Sequence, residues 1–277
     1  MTVRGFLANR RALVGGALLL FFVLIALLAP VVAPYSPTNL SFTPMLPPSA
    51  VHPLGTTANG QDVLSQIIWG ARASLIVGIG TAALISCLQI VFGVFGGYAG
   101  GRLDEVLSTV TNIFLVMPGL PLMIIVAAYV TVKGIGPIIF VITITGWAWG
   151  ARVLRSQALA LRGQAFVEAA QLSGESRWRI VLTHIVPNMA GIIVANFFGA
   201  ALYAVLSEAG LEFLGLGNVN TVTWGTMLYW AQNDEALLMG LWQWMILPGL
   251  CIALLGTAFG FLNFAVDEVA NPRLRRT

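Results

Sequence analysis

Five ionisable side chains, Glu168, Glu175, Arg177, Arg179 and His184, crowd into EAAQLSGESRWRIVLTHIVPN, residues 168–188, in a chain of which only 9% is charged. Such groups could serve acid–base or metal chemistry, lie against lipid headgroups, or form the polar side of a joint with another protein. The rest of the sequence argues against the first use. The only other histidine, His52, is far away in the chain, so no metal pair and no His-based catalytic set is predicted. The single lysine, Lys133, is followed by Gly134 and Ile135, and no Gly-x4-Gly-Lys-Ser/Thr loop exists to cradle nucleotide phosphates. The chain is therefore predicted to be no ATPase and to carry no catalytic residues, cofactor or metal of its own. Cys87 and Cys251 fall in apolar runs and read as small buried hydrophobes, with no disulfide or redox motif.

The elements that must position this polar stretch are apolar. Hydrophobic residues make up 58% of the 277, and the mean hydropathy is +0.87, the signature of a membrane protein. Six charge-free runs, 12–33, 73–99, 106–130, 135–150, 189–207 and 243–266, are each read as a membrane span, since a helix needs about 20 apolar residues to cross. Glycines within them, such as Gly78, Gly93 and Gly97, suit close helix approach. The first run is longer than the apolar region of a signal peptide, about 7–15 residues, and reads as an uncleaved anchor.

Basic residues set the orientation. With an interior N-terminus and six alternating spans, twelve of the 14 Lys and Arg residues lie inside, leaving Arg72 and Lys133 outside. The positive-inside rule then selects cytoplasmic N- and C-termini. The expected organisation is a single all-α, polytopic transmembrane domain over 1–277. Residues 1–11 and 267–277 are cytoplasmic, 34–72 and 208–242 extracytoplasmic, and 73–266 a five-span core carrying a cytoplasmic loop at 151–187. The net charge of +3 is spread over several loops, and no nucleic-acid partner is expected beside the membrane lipid.

The opening stretch falls in that cytoplasmic loop. Phe166, Ala169 and Ala170, and then Trp178, Val181, Leu182 and Ile185, have the spacing of two short amphipathic helices. Gly174 between them suits a left-handed helix end, and Pro187 is expected to end the second helix at the entry to span five. A hairpin lying on headgroups and a docking knob for a soluble partner both satisfy this pattern.

The motif EAA at 168–170 followed by Gly174 and Pro187 resembles the EAA loop of permease subunits of bacterial ATP-binding-cassette importers. GWAWGARVLRSQALALRGQAFVEAAQLSGESRWRIVLTHIVPN (146–188) is similar, more narrowly, to the dipeptide/oligopeptide/nickel permease family. HPLGTTANGQDVLSQIIWGARASL (52–75), GGYAGGRLDE (96–105), SEAGLEFLGLG (207–217) and TWGTML (223–228) extend the likeness. Departures occur at Thr57 and Asn112, where the family commonly has acidic residues, and in the tail.

The resemblance implies a type I importer permease fold with six transmembrane helices, in the bacterial inner membrane. It also implies a homologous permease, two cytoplasmic ATPases that bind the ATP and Mg, and an extracytoplasmic solute-binding protein as partners. Glu168, Ala169, Ala170, Gly174 and Pro187 would form the element that couples to the ATPase. Peptides are the expected solute, with nickel, glutathione or oligosaccharides as alternatives. A secondary transporter or channel is the competing class, but such carriers place ionisable groups within their spans, and the six runs hold none.

Overall fold

A computed structural model describes residues 9–270, and every regular element in that range is a helix. Four helices are long and apolar enough to span a membrane: α1 (Arg10–Val32), α2 (Val63–Ala99), α9 (Ala190–Phe213) and α11 (Trp242–Ala270). Two bent pairs bring the number to six if each counts as one span. They are α3 (Gly101–Val116) with α4 (Gly119–Tyr129), and α5 (Ile135–Gly146) with α6 (Ala148–Arg162), bent by 95° and 48°. Between α6 and α9 lie α7 (Ala165–Leu172) and α8, residues 177–188; α10 (Trp224–Asn233) lies between α9 and α11. The expected tail and the first eight residues lie largely outside the described residues, and with them Arg4, Arg273, Arg275 and Arg276.

Span boundaries depart from the apolar runs where polarity is tolerated inside a helix. The run starting at 73 sits within α2, which begins at Val63 and so takes Arg72 into a helix assigned by sequence to an exterior segment. Asp62 caps that start by accepting from the Ser65 amide at 2.8 Å. The sharp α3–α4 bend falls at Met117, held extended (φ −70°, ψ 133°) because Pro118 follows and excludes the helical conformation. Cys87, expected inside, is exposed.

Small residues bring the spans together. A Cβ on Gly93 would overlap the Ala151 carbonyl oxygen, and one on Gly97 would lie 2.8 Å from the Arg155 oxygen, so the backbone of α2 rests directly on α6. Gly78 does the same for Val205 of α9 at 2.7 Å, and Gly15 for the Ala258 oxygen of α11 at 2.9 Å. Arg155 reinforces the α6 contact by a two-pronged pair with Asp104 of α3, at 2.6 and 2.7 Å. A central core of Phe22, Ile85, Trp147, Val205, Trp224 and Phe259 fills the space between. The outward faces of the spans stay apolar and exposed, as at Leu20, Leu27 and Phe264.

The end formed by residues 33–62 and 214–241 is a structured cap. His52, buried, hydrogen-bonds Asp62 at 2.9 Å and packs its ring 4.6 Å from Phe42. Gly55 and Gly60 have φ of +76° and +75°, with backbone carbonyls against the position of any Cβ. On the other side, Thr223 and Thr226 form a capping box at the start of α10. The Trp224 indole donates to the Ile67 carbonyl at 3.0 Å, and Trp230 to Val219 at 2.8 Å.

One expectation is overturned here. Glu208 and Glu212, assigned by sequence to an exterior loop, occupy the last turns of α9 and are 0% and 2% exposed. The apolar run ends at 207, but the helix continues because both carboxylates find hydroxyl donors. Ser74 of α2 lies 3.3 Å from both oxygens of Glu208, and Thr223 donates to Glu212. A Cβ on Gly225 would lie 2.8 Å from Glu212, so the glycine makes the room the side chain occupies. Span five thus does contain ionisable groups, which its apolar run did not.

Two substitutions test this packing. Gly93→Val should lower the purified transporter's thermal stability by about 1–3 kcal/mol, because the added side chain must push two backbones apart. Gly16→Ala, with nothing within 4 Å, should be neutral; equal melting temperatures would refute the close approach. Thr223→Val removes both a helix cap and the donor to a buried carboxylate, and should cost about 1–3 kcal/mol. Thr109→Val, an exposed hydroxyl bonded only to Glu105, is the control in the same melting experiment.

Candidate functional site

The 163–189 loop folds as a helical hairpin, and its turn follows from Gly174. Helix α7 ends at Ser173, and Gly174 takes φ +77°. The Glu175 amide then reaches back to the Ala170 carbonyl at 3.2 Å and the Gly174 amide to Gln171 at 3.0 Å, a Schellman closure that satisfies the last carbonyls of the helix. Ser176 starts α8 by accepting from the Arg179 amide at 3.4 Å. Glu175 bridges the turn to the Arg179 guanidinium at 3.6 Å and to the His184 ring at 3.1 Å. Three of the five clustered ionisable side chains therefore brace the turn, while Glu168 and Arg177 stay exposed without a partner among the described residues.

The buried face of the hairpin keeps Ala170, Val181 and Ile185 of the expected one and differs in the rest. Val167 and Ala170 face inward on α7, and Ile180, Val181 and Ile185 on α8; all five join Val94, Tyr98, Leu154 and Ala158 in a second core. Ala169, Trp178 and Leu182 were assigned to the apolar seam, yet they are exposed, with Trp178 at 66% and Leu182 at 56%. Periodicity alone fixes the spacing of a stripe but not its rotation, and here the floor formed by α2 and α6 selects the neighbouring stripe. Glu168, Ala169 and Gly174 thus lie on the outer surface and Ala170 within the core. Leu172, 91% exposed, projects beside them.

Pro187 also behaves differently from the expectation. Helical backbone continues through Pro187 to Asn188, and the break comes at Met189 (φ −97°, ψ 3°) before α9 begins. The proline lacks an N–H, and the turn before it, Val181–Ile185, is widened to a π-helix that accommodates the missing bond. Pro187 itself is exposed.

Between the spans lies a half-open cavity of about 530 Å³, lined from α2, α3, α4, α5, α6, α9 and α11. Its polar lining includes Gln89, Asn196, Tyr203 and Asn263, together with Asp267. Only Gln89 stands out in the sequence, as the most polar side chain of its run. The others come from different spans, and their convergence is a property of helix rotation.

Comparison with known proteins follows the same lines. Residues 89–276 match the family described as binding-protein-dependent transport system inner membrane component, and residues 1–48 the N-terminal TM domain of oligopeptide transport permease C. The chain is 33% identical to the dipeptide transport system permease protein DppC of Bacillus subtilis (strain 168), over 97% of its own length and 83% of the relative's. It is 34% identical to the oligopeptide transport system permease protein OppC of the same strain, over 98% and 88%. For OppC of Mycobacterium bovis (strain ATCC BAA-935 / AF2122/97) the identity is 36%, over 78% and 75%. This multi-pass helical chain therefore belongs to the binding-protein-dependent transport system inner membrane component family, as an inner-membrane permease subunit of an ATP-binding-cassette importer.

Proposed function

We propose that the chain is a peptide-importing permease that forms half of a translocation path with a homologous permease. In this reading two cytoplasmic ATPases bind the ATP and Mg, and an extracytoplasmic solute-binding protein delivers the cargo. The permease itself binds no cofactor. Peptides are favoured over nickel, glutathione or oligosaccharides because the relatives are named as dipeptide and oligopeptide permeases across most of their length.

The hairpin is assigned as the ATPase-coupling element, with Glu168, Ala169, Ala170, Gly174 and Pro187 as its defining residues. The observation that carries this is its two-sided build. One side is locked into the core of α2 and α6, while the other exposes Glu168, Leu172, Trp178 and Leu182 together. A hairpin lying passively on headgroups needs no such anchorage. A firmly held knob with a mixed apolar and charged outer face can transmit a rigid-body displacement to the spans on which it stands.

Both termini and the coupling hairpin are placed on the cytoplasmic side, supported by the excess of basic residues on that end. An impermeant thiol reagent applied to intact cells should leave a cysteine at position 2 or 277 unmodified and should label it after permeabilisation. Labelling in intact cells would overturn the orientation.

Coupling is tested by uptake and substrate-stimulated ATP hydrolysis in the reconstituted complex, with membrane abundance measured in parallel. Gly174→Val should abolish both, since a β-branched residue is strongly disfavoured at φ +77° and would re-aim the hairpin. Glu168→Lys reverses an exposed charge without touching the turn, and should weaken docking or separate hydrolysis from uptake at normal abundance. If the hairpin served only to rest on anionic lipid, the new lysine would strengthen its attachment by about 1 kcal/mol. Wild-type behaviour of both variants would end the assignment.

A further inference from the structure

The cavity between the spans carries a lining that its packing does not explain. At membrane depth an unpaired polar group is costly, and such groups persist where they face a ligand or a water-filled path. The Asn196 side-chain Nδ2 is buried with no hydrogen-bond partner. Gln89 is 4% exposed and makes no side-chain hydrogen bond among the described residues. The Tyr203 hydroxyl reaches only the Met123 thioether at 3.7 Å, a weak acceptor. Three donors from two helices, one on α2 and two on α9, are thus left with capacity to spare around one cavity.

The fold makes room for these side chains deliberately placed opposite glycines. A Cβ on Gly150 would overlap the Gln89 amide, and one on Gly146 would overlap the Tyr203 ring. A Cβ on Gly199 would lie 3.0 Å from the Asn263 amide, which is fixed in turn by donating to the Ala195 carbonyl at 2.5 Å. Gln89, Tyr203 and Asn263 therefore each sit in a notch that any larger residue would close. The volume, about 530 Å³, is that of a small-ligand site.

The lining is rich in neutral donors and poor in charge. Asp267 is its one carboxylate, and no lysine, arginine or histidine contributes to it. Neutral donors recognise carbonyl oxygens whatever side chains a peptide carries, and Asp267 is the one lining group that tells a basic side chain from an acidic one. Building on the peptide-importer reading, we infer that this cavity is a binding site for the backbone of the passing peptide. Asn196, Tyr203 and Gln89 donate to its carbonyl groups, and these three contacts are independent of its side chains. This separates two tasks in the path: holding a peptide at membrane depth and discriminating among peptides, which these three donors do not do.

The test uses the complete reconstituted transporter and three tripeptides of equal length, one acidic, one neutral and one basic. Asn196→Leu should lower uptake of all three by the same factor, about tenfold for the loss of one hydrogen bond. Tyr203→Phe, which keeps the ring in its notch, should lower all three equally and by less. Uptake is normalised to assembled complex, and the affinity of the solute-binding protein for each peptide is measured separately. In the wild-type complex, a tripeptide bearing a photoreactive side chain, trapped with vanadate, should label α9. Losses that follow peptide charge, unchanged uptake in both variants, or labelling that spares α9 would each overturn the inference. Wild-type uptake of an oligosaccharide but of none of the three peptides would instead remove the peptide reading on which it rests.

Discussion

The contact on which the rest of the molecule depends is the approach of α2 to α6 through Gly93 and Gly97. In hydrocarbon the helices gain little from hiding apolar surface, because lipid is as apolar as they are, so association rests on close packing and a few polar links. Two glycines four residues apart bring the backbone of one helix onto the other. The Arg155–Asp104 pair ties α3 to the same place. This crossing is the floor of the second core, so the hairpin has a position only because the two helices beneath it are fixed.

From that floor a mechanical route can be traced without long jumps. Val167, Ala170, Ile180 and Ile185 of the hairpin press on Val94 and Tyr98 of α2 and on Leu154 and Ala158 of α6. A few residues further along the same helices stand Gln89 and Gly150, at the wall of the cavity. A displacement at the hairpin therefore acts on the elements that shape the cavity, through rigid helices and packed side chains. The widened turns at Ile90–Phe95 and Val181–Ile185 face each other across this joint. Such π-turns are places where a helix departs from its regular ladder.

The opposite end is held by different chemistry. Glu208 and Glu212 are expensive to bury, and they are kept there by hydroxyl donors from Ser74 and Thr223 and by the space left at Gly225. Through them α9 is tied both to α2 and to the start of α10, which in turn lays Trp224 against Ile67 and Phe22. Since both carboxylates are already engaged within the chain, their burial reads as a structural clasp between the outer cap and span five, in keeping with a family driven by a binding protein and an ATPase.

Much of this was legible in the residues. Charge-free runs of about 20 residues mark spans by a single-chain rule, and turn glycines such as Gly174 declare a backbone conformation that few other residues adopt, so span number, the place of the loop and its hairpin form needed no coordinates. What lay beyond reach was everything that depends on a helix's rotation and on its neighbours. Val181 and Ile185 fit by spacing a seam with Trp178 and Leu182 as well as one with Ile180, and only the floor beneath chooses between them. Glu208 and Glu212 look like loop residues until Ser74 and Thr223, distant in sequence, are seen to supply their donors. The cavity is assembled from seven helices. Hydropathy and spacing are local, whereas the pairing of a buried polar atom is decided by which helices meet, and that is settled only in the tertiary structure.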